Sequence, residues 1–205
     1  PFLCLTISGG HTQIVLVKDY LKMEVIGQTL DDAAGEAFDK AAKMMGLPYP
    51  GGPLIDKYAQ SGDPHQFIFN AGEMDEYNFS FSGLKTNILY FLRKEVEKDP
   101  NFIQAKLNDL CASIQQCIVD TLFTKLEKAV ADFGIREVAI AGGVSANSAV
   151  RSRLQSKTKE GWKVHIPKLE YCTDNAAMIA MVGYLKFKAS EFAQLSEAPQ
   201  ARLKF

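Results

Sequence analysis

Histidine and cysteine are scarce in this 205-residue chain, at three and four, and each scarcity removes a class of chemistry. Cys4, Cys111, Cys117 and Cys172 sit in apolar or helical contexts without a C-x-x-C pair, which argues against a disulfide scaffold or zinc ribbon and for a reduced, cytoplasmic setting. His11, His65 and His165 form no H-x-x-x-H pair, and H-E-x-x-H is absent. The dinucleotide pattern G-x-G-x-x-G and the phosphate-loop pattern G-x-x-x-x-G-K-[ST] are missing as well, which disfavours both of those nucleotide sites. No run approaches the roughly 18 apolar residues that a membrane span needs, and Pro1-Phe2-Leu3-Cys4-Leu5 lacks a basic leader.

What is present is ordinary globular composition, 47% apolar and 23% charged, with a formal net charge of -1. That balance gives no global reason to bind nucleic acid, so any such contact must be local. Between Arg151 and Lys188 eight basic residues face three acids, an excess able to meet phosphate or simply to solvate helix faces. The chain opens without Met inside a strand-like apolar run, so it reads as a fragment with residues upstream of Pro1 removed.

Phe2 to Ser8, Thr12 to Lys18 and Lys22 to Gln28 read as three antiparallel strands, the first two joined at Gly9-Gly10. Asp31-Asp32 is placed to cap a helix that Gly46 and Pro48 end. Short helices are expected from Leu54 to about Gln60 and from Gly83 through Lys94, and an unbroken helical stripe from Ile103 to Phe133. Then follow a strand from Glu137 to Ala141, a helix from Ser145 to Gln155, a strand from Lys163 to Pro167, and a helix from Asp174 to Lys188 with Ala177, Met178, Met181 and Leu185 on one side. Strands first, then helices interleaved with strands, make an α/β layered lobe.

Four junctions stand out: Ser8-Gly9-Gly10-His11-Thr12, Tyr49-Pro50-Gly51-Gly52-Pro53, Ala141-Gly142-Gly143-Val144-Ser145-Ala146-Asn147 and Thr173-Asp174-Asn175. Paired glycines let backbone amides approach an anion, and a following helix adds its dipole. Each junction taken singly is as well explained by a plain turn. Asp174 is equally a helix N-cap, Asp39 and Asp56 are equally solvated helix positions, and His11 is equally a turn residue.

Taken together, the wording is specific. Ser8-Gly9-Gly10-His11-Thr12-Gln13, Asp31 to Lys40, Tyr49 to Pro53, Phe79-Ser80-Phe81-Ser82-Gly83-Leu84-Lys85-Thr86, Ala141 to Asn147 and Cys172-Thr173-Asp174-Asn175 resemble, in order, the tRNA threonylcarbamoyladenosine transferase family, formerly labelled O-sialoglycoprotein endopeptidase or glycoprotease. The resemblance runs from about Pro1 to Ala189. It implies an actin and sugar-kinase-like ATPase fold with a ribonuclease H-like lobe, residues 1–205 being the C-terminal half of a two-lobed enzyme whose N-terminal lobe lies before Pro1. It further implies transfer of a threonylcarbamoyl group from threonylcarbamoyl-adenylate to N6 of the adenosine beside the anticodon, in tRNAs that read codons starting with A.

By motif position, the resemblance puts the backbone of Thr6, Ile7, Ser8, Gly9 and Gly10 at the phosphate and threonylcarbamoyl end of the ligand. Asp39 and Gly52 take the ribose side with Asp56 in support, and Asn147 takes the nucleoside. Asp174 becomes the one ligand from this lobe to a divalent metal, iron or zinc, shared with two histidines of the other lobe. No residue of this lobe is assigned as catalytic, and the lobe alone is expected to be inactive. Implied partners are tRNA, an adenylate-type nucleotide, a same-fold paralogue and a small ATPase of the modification complex, with no membrane. Such acyl transfer needs a polarised carbonyl and a bound leaving phosphate, and no nucleophile-base pair is apparent. Two other classes remain: a metal-dependent glycoprotease, as the older label suggests, and a non-catalytic paralogue that binds a same-fold partner.

Overall fold

Apolar alternation builds the sheet. The computed structural model describes residues 1–72 and 74–198, so residues 199–205 of the expected lobe lie outside the described residues. Strands β1 (Phe2–Ile7), β2 (Thr12–Asp19) and β3 (Lys22–Gln28) run antiparallel, and β4 (Glu137–Ala141) and β5 (Lys163–His165) add in parallel on the other edge of β1, giving the order β3-β2-β1-β4-β5. The α/β class and the three opening antiparallel strands agree with the sequence reading. Because side chains alternate along a strand, the register pairs Leu3 with Leu16 and Val138, and Leu5 with Ile14 and Ile140, so one sheet face is a continuous apolar layer. All six are buried in the same core cluster.

Against that core pack α1 (Ala34–Met44), α2 (Gly51–Ala59), α3 (Ser82–Lys98) and the long α5 (Leu107–Phe133), preceded by the single turn α4 (Phe102–Ala105). Phe38 of α1, Ile55 of α2, Leu84 and Ile88 of α3 and Leu110, Ile114, Leu122 and Leu126 of α5 are all at most 1% exposed. Burying each side chain of this size contributes on the order of 1.5–3 kcal/mol. The expected stripe from Ile103 is interrupted at Lys106, whose φ of -116° and ψ of 15° leave the helical region. Gly134, at φ 65°, ends α5 in the left-handed conformation that glycine tolerates.

Several expected boundaries are corrected. Asp31 and Asp32 do not cap α1, whose N-cap is Ala33 with no side-chain cap bond. Instead the buried Thr12 hydroxyl accepts from the Ala34 N–H at 2.8 Å, Asp32 pairs with Lys40 at 2.6 Å, and Asp31 caps α3. Its carboxylate accepts from Ser80 Oγ, Phe81 N, Ser82 N and Ser82 Oγ. Helix α2 starts three residues before Leu54, a 3-10 turn over Gly143–Ala146 precedes α6 (Ser148–Ser156), and β5 stops at His165.

The last helix, α7 (Ala176–Lys188), departs most from expectation. It has no buried residue, and Met178, Ile179, Met181, Val182, Tyr184 and Phe187 are all exposed. Its apolar residues surround the helix and do not form one inward side. At 13 residues it is too short to span a bilayer, and among the described residues no helix is long and apolar enough to cross a membrane.

Candidate functional site

Backbone proximity assembles the site. Because β1 and β4 are parallel neighbours, the loops that leave their C-terminal ends, Ser8–His11 and Gly142–Asn147, lie side by side. A Cβ on Gly142 would stand 2.4 Å from the Ile7 carbonyl oxygen, and φ there is 89°, so only glycine fits. A Cβ on Gly35 would likewise meet the Ser8 oxygen at 2.6 Å, which brings the start of α1 against the first loop, where the Gly35 N–H donates to Ser8 O. These glycines serve chain-to-chain approach.

The cleft so formed holds about 450 Å³. Gly9, Asp39, Gly52, Asp56 and Asn147, five of the ten residues singled out from the sequence, line it together with Gly35, Phe38, Tyr49, Gly143 and Thr173. Thr6 and Ile7 are strand residues instead, paired with Gln13 and Thr12 on one side, Thr6 also facing Ala141. Ser8 shapes the turn, its hydroxyl accepting from the N–H groups of Gly10 and His11 at 3.2 and 2.9 Å. His11 is an exposed residue of that turn, its carbonyl accepting from the Ser8 N–H. Among the described residues the Gly9 N–H has no partner, which makes it the donor this loop offers to a ligand.

The polar side chains of the cleft are also helix caps. Asp39 Oδ1 accepts from the N–H groups of Gly51 and Gly52 at 2.7 and 3.1 Å, which satisfies the opening turn of α2. Its second oxygen has no partner among the described residues. Asp56 reaches across 92 positions in sequence to accept from Ser148 N at 3.0 Å and Ser148 Oγ at 2.6 Å, so both of its oxygens hold the start of α6. Asn147 is the α6 N-cap, accepting from Ala149 and Val150 N–H through Oδ1 while Nδ2 donates to Gln115 Oε1 at 2.7 Å. One amide N–H of Asn147 has no partner among the described residues, and Asn147 lines the cleft with Gly143, Val144 and Ala146.

At the fourth junction the cap of α7 is Asn175, whose Oδ1 accepts from Met178 N at 3.1 Å, and not Asp174. That removes the capping alternative for Asp174, an exposed carboxylate with no hydrogen-bond or ion-pair partner among the described residues, next to the cleft residue Thr173. Among the described residues no three His, Cys, Asp or Glu side chains gather closely enough to hold a metal. Asp174 can give one anionic ligand and no more than that from its surroundings. Cys111 is fully buried, and burial pushes its thiol up to about 12, so it is protonated and unreactive at neutral pH.

Sequence reasoning missed three contributors. Thr12 and Gln115 act through bonds to residues 22 and 32 positions away, beyond the reach of any local pattern. Tyr49, 85% exposed at the cleft rim, lay within a quoted motif but carried no stated role. The basic excess between Arg151 and Lys188 also proves to be partly internal. Arg151 donates to the carbonyls of Ser145 and Pro167, Arg153 and Lys157 pair with Glu127, and Lys163 pairs with Glu137.

A family model described as tRNA N6-adenosine threonylcarbamoyltransferase matches residues 1–181. Curated proteins of that description are similar over nearly the whole chain. One from Riemerella anatipestifer is 59% identical over 203 residues, 98% of this chain and 60% of the relative. One from Christiangramia forsetii is 60% identical over 206 residues, 100% of this chain and 61% of the relative. A more distant one, from Thermotoga neapolitana, is 48% identical over 198 residues, 95% of this chain and 58% of the relative. The chain thus spans about 60% of the length of the curated relatives it matches.

Proposed function

This chain belongs to the tRNA N6-adenosine threonylcarbamoyltransferase family, and from that premise we propose that it forms one wall of the active cleft of an acyltransferase modifying tRNA. The family has the actin-like ATPase fold, with which the mixed five-stranded sheet and its helices agree. In the reaction we propose, the exocyclic N6 amine of the adenosine beside the anticodon attacks the carbamoyl carbon of threonylcarbamoyl-adenylate. The new N6–C bond forms, the bond from that carbon to the phosphate oxygen breaks, AMP departs, and the amine gives up a proton.

The observation that carries the reading is the convergence of Gly9 from the β1–β2 loop, Asp39 from α1, Gly52 and Asp56 from α2 and Asn147 from the turn before α6 on one cleft. The unpartnered Gly9 N–H beside the α1 start suits a phosphate, and the free oxygen of Asp39 suits a ribose hydroxyl. Asp56 and Asn147 act by fixing α6 so that the 143–147 turn presents its backbone. A divalent metal, iron or zinc, would take Asp174 as its ligand from this chain and would supply Lewis acidity and charge neutralisation to the departing phosphate. The rest of such a site belongs to a further lobe of the intact protein, for which the relatives' greater length leaves room. The exposed apolar α7 is the surface that lobe would cover. A same-fold paralogue and a small ATPase are proposed as partners, in the cytoplasm where tRNA is modified.

The test is threonylcarbamoyl transfer from threonylcarbamoyl-adenylate to an unmodified tRNA by the intact protein, with peptide cleavage assayed in parallel. Transfer without cleavage is the expected result. Cleavage without transfer would favour the older protease label, and neither activity would favour the non-catalytic paralogue.

A further inference from the structure

The exposed face of α3 stands outside the cleft and has no role in the reading above. From Ser82 to Lys98 the helix carries four cationic side chains, Lys85, Arg93, Lys94 and Lys98, against Glu95 and Glu97, and Glu95 is paired with Lys98. Among the described residues Lys85, Arg93 and Lys94 have no ion-pair partner; in the Arg151 to Lys188 segment Arg153, Lys157 and Lys163 are paired and Lys159, Lys168, Lys186 and Lys188 are not. The Asp31 carboxylate bound at the first turn of α3 offsets the positive end of the helix macrodipole, so the field of this face comes from its own side chains. The nearby Asp31 carboxylate is taken up by Ser80, Phe81 and Ser82.

The same face carries an aromatic ring among the cations. Thr86, Asn87, Tyr90, Phe91 and Lys94 line an open groove of about 670 Å³. Tyr90 is 65% exposed, and among the described residues neither it nor Asn87 makes a side-chain hydrogen bond. Beneath it, Phe91 is fixed by ring contacts with Phe67, Phe69 and Phe102 at centroid separations of 5.2, 5.3 and 5.9 Å. Arg93 and Lys94 follow Tyr90 by one helical turn, so a ring and two cations share one side of the helix. An exposed ring on a rigid floor, with unpaired cations one turn away and the free Asn87 amide beside it, is the combination that stacks a base and neutralises the adjoining phosphates.

We propose that this face of α3 is an RNA-docking surface, on which an unpaired stretch of the tRNA stacks on Tyr90 and sets its phosphates on Arg93 and Lys94. The occupant is RNA because it supplies both phosphate charge and an exposed π-face, and an acidic protein supplies only the charge. The inference rests on the reading of the protein as a tRNA-modifying enzyme. The link to the cleft is short in the chain: Asp31 holds the first turn of α3, and four residues later Gly35 donates to Ser8 O beside Gly9.

The experiment measures binding of an unmodified tRNA transcript to the intact protein at several salt concentrations, alongside threonylcarbamoyl transfer. Tyr90→Ala is expected to weaken binding about tenfold with an unchanged salt slope, as loss of one stacked base does. The double variant Arg93→Ala/Lys94→Ala is expected to lower the log–log salt slope by about 1.4, two contacts at about 0.7 each. Melting temperature should hold in both, since the changed side chains are exposed. Lys18→Ala/Lys22→Ala at the β2–β3 turn, a control of similar charge, should bind normally. Wild-type affinity and slope in the Arg93→Ala/Lys94→Ala variant, or an equal loss in the control, overturn the surface and leave the enzyme reading untouched if wild type still transfers. Loss of transfer with RNA binding intact would give the face to an acidic protein partner, which also overturns it. A wild type that binds tRNA through this face but transfers nothing sinks the enzyme reading alone.

Discussion

Replacing Asn147 separates its structural work from any contact with a nucleoside. Asn147→Ala removes an N-cap that serves two N–H groups of α6, a loss of about 1 kcal/mol. It also orphans Gln115 Oε1, in a residue only 6% exposed, and a buried acceptor left without its donor costs about 1–3 kcal/mol. The two effects sum to about 2–4 kcal/mol, or roughly 4–16 °C in melting temperature for a domain of this size. Asn147→Ser keeps a capping oxygen and should lose only the Gln115 part. Adding Gln115→Met to it removes the orphan and should recover about 1 kcal/mol, a coupling that a double-variant cycle reads directly. Asn147→Asp keeps the cap, and Gln115 can turn its amide over to donate to the carboxylate, so this variant should be more stable than Asn147→Ala. Urea titration of the four variants supplies the energies, and titration with a non-hydrolysable adenylate supplies the affinity. A cost under about 0.5 kcal/mol for Asn147→Ala, or no recovery in the double variant, would refute the structural account. Adenylate affinity that collapses in Asn147→Asp while stability holds would put the side chain itself on the ligand.

Four further outcomes are expected. Asp39→Ala should cost about 1–2 kcal/mol through the opening turn of α2 and weaken adenylate binding as well; in Asp39→Asn, which keeps an acceptor, urea midpoints should recover while binding stays weak. For Asp31, burial opposes ionisation, but hydrogen bonds from Ser80, Phe81 and Ser82 outweigh it and hold the carboxyl below its ordinary range. The stabilisation it gives is therefore present above the unfolded value of about 3.9 and lost as pH falls through the lower folded value, so the gap in urea midpoint between wild type and Asp31→Asn should close below about pH 4. Asp174→Asn should leave the melting temperature unchanged, since Asn175 is the cap, while bound metal and transfer rate fall by orders of magnitude; retention of both would end the metal assignment. The 205-residue chain by itself should self-associate through α7, and Ile179→Lys/Met181→Lys should return it to a monomer in light scattering.

Strand and helix identity was legible wherever burial is periodic. Leu3, Leu5 and Ile7 alternate with half-buried neighbours, and the α5 stripe recurs at helical spacing, so the chain itself records which side faces the core. Capping was not legible, because a local pattern looks only three or four residues ahead. Asp31 stands immediately before α1 yet caps α3, about 50 positions away, and α1 takes its cap bond from Thr12 on a neighbouring strand. Periodicity failed at α7 for a different reason. A helix apolar on every side has no preferred face, and spacing cannot announce whether a partner covers it.

The cleft was legible only as wording. Nothing in Asp56 or Ser148 taken alone announces that they meet, and the 92 positions between them are closed by the sheet order, which composition does not encode. Once closed, the cleft shows why aspartate and asparagine recur at its loops. A helix that begins at a ligand site leaves its first N–H groups exposed, and a carboxylate or amide oxygen from the neighbouring loop satisfies the ones the ligand does not use. Asp39 does this for α2, and Asp56 and Asn147 do it for α6, so the side chains that mark the site are also what hold its walls in register. Local pairing also limits where charge acts. The segment from Arg151 to Lys188 has the larger basic excess in sequence, yet Arg153, Lys157 and Lys163 are tied to Glu127 and Glu137. Lys159, Lys168, Lys186 and Lys188 of that segment are unpaired among the described residues, as Lys85, Arg93 and Lys94 of α3 are, so pairing alone does not separate the two; what α3 adds is the exposed Tyr90 ring one turn from Arg93 and Lys94.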